Sequence, residues 1–186
     1  YHALKEALEA DDALYFSDSV HPSQATKLSY GWIRKGHDKK LETTASRTRV
    51  NIMGALRLDA ISHTIAAQYE TINAESIVSH LRLVRQHHGA KGKIIWILDQ
   101  APYHRAEAVV KEAQKLNIQL EYLPPYSPNL NPIERLWKVM NEQVRNNHFF
   151  KSAKDFKKAI KRFFNEILPK IGDSLSGRIN DNFQML

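Results

Sequence analysis

Three carboxylic acids occupy positions from which they could act together. Asp18 and Asp99 lie at or near the ends of two apolar segments, YFSDSV and IIWILDQ, and Glu134 lies in the first turn of a helix predicted to begin near Pro132. A side chain at the end of a buried strand is held by the most rigid part of a fold. Three carboxylates that meet in a low dielectric repel one another, and a divalent cation relieves that repulsion.

Each of these acids also has a structural interpretation. Asp18 could cap the turn into the following HPSQ, and Asp99 could cap a turn or the helix that follows it. Asn131, Pro132 and Glu134 have the spacing of a capping box, with the asparagine at the N-cap and the proline in the first helical position. For each acid considered alone, both interpretations stay open.

The composition limits the class of protein and of metal site. With 186 residues and 42% hydrophobic content, the chain is expected to fold as one globular domain. It contains no cysteine, which excludes disulfides and thiolate ligands, so oxygen ligands would favour Mg²⁺ or Mn²⁺. The net charge of +7 favours a polyanionic partner, above all nucleic acid. No apolar run approaches the roughly 20 residues that span a bilayer, so no membrane partner is expected.

The hydrophobic periodicity predicts an α/β fold. Strands are predicted at residues 13–20, 30–36 and 49–59, and residues 63–70 are predicted as a possible extension of the same sheet. A helix with Asn73 and Ser76 at its start follows, and then strand 93–100, helix 106–117, strand 118–125, a helix from about residue 132 and a last helix at 152–168. A meander followed by alternating strands and helices predicts a mixed sheet with helices on both faces.

Three motifs together resemble a known family. FSD at residues 16–18, ILDQAPYH at 97–104 and LPPYSPNLNPIERLW at 123–137 resemble the catalytic domain of mariner-type transposases, in particular their bacterial insertion-sequence branch. Asp99 and Glu134 are 35 positions apart, the usual spacing in the Asp-Asp-Glu triad of that family. The resemblance covers residues 15 to about 149. Many members have Asp-Glu where this chain has Asp18-Ser19, a departure that spares the ligand itself.

The resemblance implies a fold, a chemistry and partners. The fold would be RNase H-like, with Asp18, Asp99 and Glu134 as catalytic residues and as ligands of two Mg²⁺ or Mn²⁺ ions. The reaction would be phosphoryl transfer that cleaves transposon ends and joins their 3′-hydroxyls to target DNA at TA. The partners would be the transposon ends, the target DNA and a second copy in a homodimer, in the bacterial cytoplasm at the nucleoid.

The resemblance also bears on domain organisation. Residues 1–186 are expected to form a single catalytic domain, and the helix-turn-helix DNA-binding domain that usually precedes it in the family is expected to be absent from this chain. The chain begins with Tyr1 and carries no recognisable signal peptide. Because the helix-turn-helix domain is expected to be absent, DNA binding by this segment alone is expected to be weak and tolerant of sequence.

Several other residues are candidates for DNA contact or for support of the site. His104 could support the site or contact a phosphate, or it could be a helix-start residue with a satisfied hydrogen bond, whereas His21 is expected to be structural or to contact substrate. Two basic sets could contact phosphate or be solvated faces: the face of the last helix, Lys154, Lys157, Lys158 and Lys161, and the cluster Lys35, Lys39, Lys40, Arg47 and Arg49. Trp32 and Trp96 are expected in the core.

Two alternative functions remain beside the transposase. One is an RNase H-like nuclease that cuts but does not join strands, and the other is a decayed or domesticated transposase that binds DNA or a partner without catalysis. Other phosphate and metal chemistries are disfavoured, because the sequence contains no GxxxxGK[ST], GxGxxG or HExxH motif.

Overall fold

A five-stranded mixed sheet forms the centre of the computed structural model, which describes residues 1–183. The strand order is β3-β2-β1-β4-β5. β1 pairs antiparallel with β2 and parallel with β4, β2 pairs antiparallel with β3, and β4 pairs parallel with β5. The strands are β1 Ala13–Val20, β2 Asn51–Leu56, β3 Ile65–Tyr69, β4 Ile94–Leu98 and β5 Ile118–Tyr122. The predicted mixed sheet, with a meander followed by strands that alternate with helices, is confirmed, although the meander uses β3 in place of one predicted strand.

Helices cover both faces of this sheet, as the sequence predicted. One hydrophobic cluster lies between the sheet and α2 and α3, and a second lies between the opposite face and α4, α5 and α6. The helices are α1 His2–Glu6, α2 Ala74–His88, α3 Glu107–Lys115, α4 Ile133–Met140, α5 Ala153–Arg162 and α6 Leu168–Ile171. π-helical turns extend α4 over Asn141–Arg145 and α5 over Phe163–Ile167. Within residues 1–183, none of the helices has the length and apolar character needed to cross a bilayer.

The register of β1 and β4 decides which side chains reach one edge of the sheet. Phe16 pairs with Ile97, and the two side chains share one hydrophobic cluster, whereas Trp96 packs on the opposite face. Side chains alternate along a strand, so Asp18 and Asp99, each two residues beyond this pair, project to the same face. β1 and β4 are parallel, and both acids therefore lie at the carboxyl edge of the sheet.

Both predicted ends of α2 and the predicted start of the last helix are confirmed, whereas helical structure continues past the predicted end at residue 168 to Ile171. Asn73 and Ser76 form a reciprocal capping box at the start of α2, and Gly89 ends this helix with a φ of 96°. Ser152 caps α5 by accepting a hydrogen bond from the backbone N–H of Asp155, at 3.1 Å. Capping and amphipathic spacing are local signals, so the sequence alone revealed these boundaries.

The strand predicted at residues 30–36 is wrong. Residues 21–50, here called the arm, connect β1 to β2, and every residue from 27 to 40 is exposed. Trp32, expected in the core, is fully exposed at 103%, whereas Trp96 is buried as expected. The neighbours of β1 are β2 and β4, so residues 30–36 have no place beside it, and β3 is the third strand of the meander.

Candidate active site

The three acids line a single cavity at the carboxyl edge of the sheet. Asp18 comes from β1, Asp99 follows β4, and Glu134 comes from the first turn of α4. The cavity has a volume of about 380 Å³, and the loop between β5 and α4 forms its other wall. Its lining residues are Asp18, Asp99, Gln100, Leu123, Pro124, Pro125, Tyr126, Ser127, Pro128, Asn131 and Glu134.

Asp18 is partly buried at the edge of the sheet, whereas Asp99 is exposed. Its Oδ2 accepts a hydrogen bond from the indole Nε1 of Trp137, at 2.9 Å. Burial, and after it the negative charge of Glu134, raise the pKa of Asp18 from its ordinary value of 3.8 to about 7, although the indole hydrogen bond acts in the opposite direction. This environment destabilises the ionised carboxylate of Asp18, and a bound cation would stabilise it.

Asp99 has the opposite electrostatic environment. Its side chain is 53% exposed, and its Oδ1 lies 2.8 Å from Nδ1 of His104 and 3.0 Å from the backbone N–H of Ala101. The hydrogen bond from His104 is the main reason that the pKa of Asp99 lies below its ordinary value. Asp99 therefore stays ionised at neutral pH, whereas Asp18 is partly protonated there in the absence of a cation.

Glu134 is positioned by the contact between the start of α4 and β1. The side chain of Asn131 is buried, and its Nδ2 donates to the backbone carbonyl of Ser17, at 3.1 Å. Asn131 makes no side-chain cap on α4, so the capping-box interpretation of Glu134 is wrong. The asparagine instead fixes the first turn of α4 beside the residue that precedes Asp18.

The proline-rich loop is attached to β4 at its start. The backbone N–H of Leu123 donates to the carbonyl of Leu98 at 2.8 Å, and Nε2 of Gln100 donates to the carbonyl of Leu123 at 2.9 Å. Prolines at positions 124, 125, 128 and 132 restrict the backbone from there to α4. Tyr126 has a φ of 56° and a fully exposed ring. The loop thus combines a fixed backbone with an aromatic side chain in solvent at the cavity wall.

The donor set of the cavity suits a hard divalent cation. Within residues 1–183, no three His, Asp or Glu side chains are already arranged as a finished metal site. The cavity nevertheless offers three carboxylates, the ligand type that Mg²⁺ and Mn²⁺ prefer. Burial and the nearby charge of Glu134 both raise the pKa of Asp18, and a bound cation would offset both effects.

The remaining candidate residues lie outside the cavity wall. His104 is 2% exposed and so contacts Asp99 rather than solvent or DNA phosphate. His21 lies 2.8 Å from Oδ1 of Asn51, a contact between the end of β1 and β2, in agreement with a structural role. The four lysines of α5 are all exposed, and none belongs to the residues described above as lining the cavity: Lys154, Lys157, Lys158 and Lys161.

Sequence reasoning missed the residues that hold the acids in place. The contact between Trp137 and Asp18 was not foreseen. A usable signal existed, because Trp137 follows Glu134 by three residues on one helix face and a buried indole N–H normally finds an acceptor. Asn131 was noticed only as a helix cap, and its bond to Ser17 depends on how α4 packs on β1.

Comparison with known families supplies the classification. A family described as DDE superfamily endonuclease matches residues 13–157, a stretch that includes all three acids. The chain belongs to the DDE superfamily endonucleases. A DDE relative in Shigella sonnei, the "Insertion element IS630 uncharacterized 39 kDa protein", is 22% identical over 176 residues, covering 90% of this chain and 49% of the relative. This DDE chain thus spans about half the length of that relative.

Solved structures share the fold of this DDE chain. The Mos1 mariner paired end complex with Mg matches with a TM-score of 0.62 and 19% identity, covering 92% of this chain and 57% of the other. The catalytic domain of Mos1 mariner transposase matches with a TM-score of 0.58 and 18% identity, covering 95% and 83%. The family match confirms the DDE family that the sequence motifs implied, and the Mos1 structures confirm the RNase H-like fold.

Proposed function

We propose that this chain is the catalytic domain of a DNA transposase that transfers phosphoryl groups through Asp18, Asp99 and Glu134. The observation that carries the proposal is the meeting of the three acids at one cavity in a member of the DDE superfamily endonucleases. The two acids on strands come from adjacent parallel strands, and the third comes from a helix fixed to β1. Rigid attachment of this kind suits phosphoryl transfer, in which catalysis depends mainly on positioning and electrostatics.

The proposed cofactors are two Mg²⁺ or Mn²⁺ ions. Asp18 and Asp99 would be shared ligands, and Glu134 would hold one ion. When bound, the ions would activate the attacking water or 3′-hydroxyl and stabilise the leaving oxygen. Relatives of the fold have been crystallised with Mg and with Mn, which supports this choice of ion.

The chain's own residues would support two successive reactions at the cavity. The carboxylates would concentrate cations at the point where a phosphodiester binds, and the fixed proline loop would set the distance from the sheet to Glu134. In the first step, water attacks the phosphorus at a transposon end and a 3′-hydroxyl is released. In the second step, that hydroxyl attacks a target phosphodiester, forms a new P–O bond and releases a 3′-hydroxyl of the target strand.

The proposed partner is DNA, and the arm is the surface best suited to it. The arm leaves β1 three residues after Asp18 and combines exposed Tyr30 and Trp32 with basic side chains. Aromatic rings that stack on bases and cations that contact phosphate are the usual combination for sequence-tolerant binding. The basic side chains are Lys27, Arg34, Lys35, Lys39, Lys40, Arg47 and Arg49.

The finer features of the family are also proposed for the whole protein. These are a single catalytic domain over residues 1–186, a helix-turn-helix domain upstream of it, a homodimer that pairs transposon ends, a TA target and action at the bacterial nucleoid. Structures of Mos1 with paired transposon ends and of its strand transfer complex support DNA as a partner. Sequencing of joined products tests the TA target, and sedimentation with end DNA tests the dimer.

The decisive experiment is a cleavage and joining assay with the full-length protein, DNA that carries its element's ends, and Mg²⁺ or Mn²⁺. Asp99→Asn is compared with the wild-type protein and with Asp173→Asn, an exposed aspartate of the turn Gly172–Leu175 that lies outside the arm and the cavity lining. We expect Asp99→Asn to reduce cleavage by at least about a thousandfold, because loss of the carboxylate would remove a ligand of both proposed metal ions, which would stabilise the negative charge of the transition state. Asp173→Asn should cleave at the wild-type rate.

The outcomes separate the three candidate functions. Cleavage that persists in Asp99→Asn contradicts the assignment of the three acids. Cleavage without joining supports a nuclease, and folded protein that binds DNA without metal-dependent cleavage supports a non-catalytic relative.

A further inference from the structure

We propose that Trp137 and His104 are positioning residues that each hold one carboxylate oxygen of a catalytic aspartate and so direct the other oxygen to a metal ion. Trp137 would hold Oδ2 of Asp18, and His104 would hold Oδ1 of Asp99. The inference rests on the proposed function, because it concerns the same carboxylates. It assigns a purpose to two buried rings that the reaction itself does not use.

The indole of Trp137 can hold Asp18 only by donating a hydrogen bond to it. Its side chain is 3% exposed, and its Nε1 can only donate a hydrogen bond. The bond to Oδ2 therefore requires an acceptor at that position and cannot be inverted. Since the helix that carries Trp137 also carries Glu134 one turn earlier, the same face of α4 presents a ligand and the donor that orients a second ligand.

Gly54 provides the space that this indole occupies. It pairs with Asp18 across β1 and β2. A Cβ atom added at Gly54 would lie 2.4 Å from Cη2 of Trp137 and 3.0 Å from Cδ1 of Ile133. No side chain larger than hydrogen fits there unless the indole moves. The contact between Trp137 and Asp18 therefore requires a residue without a side chain at Gly54 in β2.

His104 holds Asp99 by an equivalent contact from the opposite side. Its Nδ1 faces two acceptors, Oδ1 of Asp99 at 2.8 Å and the backbone carbonyl of the same residue at 3.2 Å, so Nδ1 carries the hydrogen. The hydroxyl of Tyr122 donates to the backbone carbonyl of His104, at 3.1 Å. This bond joins the turn Pro102–Arg105 to β5 and so fixes the backbone that carries the ring.

The two contacts have one common consequence for ligand geometry. A carboxylate with one oxygen held by a ring N–H can rotate little, and it approaches a cation through its remaining oxygen. Partners that orient metal ligands in this way typically contribute 10–100-fold to metal affinity or activity. The structure therefore assigns the orientation of the two shared ligands to side chains that touch neither metal nor DNA.

The first test measures Mn²⁺ binding to the 186-residue chain by calorimetry. Trp137→Phe keeps most of the ring volume and removes the donor, and Trp96→Phe is its matched control. Trp96 is equally buried, but it lies on the other face of the sheet, and its Nε1 bonds to none of the residues described. We expect Trp137→Phe to weaken Mn²⁺ binding about 10–100-fold and Trp96→Phe to leave it within about twofold.

The second test exploits the position of the donor in His104. His104→Asn keeps an N–H close to the place of Nδ1, whereas His104→Ala removes it. We expect the asparagine variant to bind Mn²⁺ nearly as tightly as the wild type and the alanine variant to bind at least about 10-fold more weakly. Equal weakening in both variants would assign only a packing role to the ring and would overturn this half of the proposal.

A spectroscopic measurement keeps the inference testable if a variant does not fold. The chain contains three tryptophans, so a nitrogen–proton correlation spectrum shows three indole signals. We expect Mg²⁺ to shift the signal of Trp137 strongly and those of Trp32 and Trp96 slightly. An unmoved Trp137 signal at a magnesium concentration that saturates the wild type would contradict the inference.

The pattern of results distinguishes this inference from the proposed function. If wild type and Trp137→Phe bind Mn²⁺ equally, the positioning role is overturned while the metal site stands. If the wild type binds no Mn²⁺, the proposed metal site and the positioning role are overturned together.

Discussion

Two neighbouring regions differ in how their side chains are packed: the carboxyl edge of the sheet, which holds Asp18, and the arm, which starts three residues later. At the edge, Asp18 contacts a buried indole, and Asp99 contacts a buried imidazole. In the arm, every residue from 27 to 40 is exposed. The side chain of Asn147 connects the arm to the rest of the molecule, because it bonds to the backbone N–H and carbonyl of Ser29, both at 2.9 Å.

Under the proposed function, this difference would meet two different demands on the same molecule. Catalytic groups must be held to within a fraction of an ångström, which requires packed and hydrogen-bonded neighbours. A surface that follows the DNA backbone can gain from mobility and needs exposed charge and aromatic area. Changes at the edge should therefore alter stability and metal binding, whereas changes in the arm should alter DNA binding alone.

The largest effect on stability is expected from Asp18→Asn in metal-free protein. The pKa of Asp18 is about 7 in the folded state against an ordinary value of 3.8, so folding binds a proton between those pH values. The stability that Asp18 contributes is complete below about pH 4 and is lost as the pH rises through about 7. Asp18→Asn should thus raise the free energy of unfolding by on the order of 2 kcal/mol at about pH 8, and by much less at about pH 4.

Urea unfolding at the two pH values measures this effect. Asp38→Asn in the exposed arm is the control, and we expect it to change stability by less than about 0.5 kcal/mol. Mg²⁺ should stabilise the wild type more than Asp18→Asn. If Asp18→Asn is no more stable than the wild type at the higher pH, the ionised carboxylate of Asp18 does not destabilise the folded protein.

The second effect compares two glycines, one in each region. Gly54→Ala places a methyl group against Trp137, and we expect it to destabilise the protein by about 1–3 kcal/mol through overpacking. Gly31→Ala in the arm meets its nearest atom, Nδ2 of Asn147, at 3.8 Å, and should change stability by less than about 0.5 kcal/mol. Thermal unfolding of both variants tests the comparison, which fails if the two transitions shift equally.

The third effect should appear in DNA binding. Trp32→Ala removes a fully exposed ring, so stability should stay within about 0.5 kcal/mol of the wild type. Binding to single-stranded DNA, measured by fluorescence anisotropy, should weaken by about 1–3 kcal/mol if the ring stacks on a base. Trp32→Phe retains a stacking face and should recover most of the affinity; loss of affinity in both variants alike would contradict stacking.

The smallest effect should distinguish the two basic surfaces. Alanine at Lys35, Lys39 and Lys40 should reduce the salt dependence of duplex DNA binding by roughly 0.9 in logarithmic slope for each phosphate that the protein no longer neutralises. Alanine at three lysines of α5 should change it less, because the lysines of the arm lie close in sequence to the exposed rings of Tyr30 and Trp32. The slope is obtained from affinities at several salt concentrations. An equal or larger change in the α5 variant would assign the DNA surface to the helix.

The sequence predicted those parts of the fold whose signals are local. The apolar run of β4, the capping box of α2 and the amphipathic stripe of α5 are each specified by neighbouring residues, and each was placed correctly. The segment YGWIRKG carries the composition of a strand, yet strand formation needs a partner edge, and none was available beside β1. Composition alone therefore misplaced Trp32.

The sequence by itself determined the family, the order of strands and helices outside the arm, and the three acids as candidate ligands, because motif spacing and periodicity are properties of the chain. Only the tertiary structure decided what holds those acids. Trp137 reaches Asp18 across 119 positions of sequence, and Asn131 reaches Ser17 across 114. Contacts at such separation depend on the packing of α4 against β1 and on the gap left by Gly54, which no local pattern encodes.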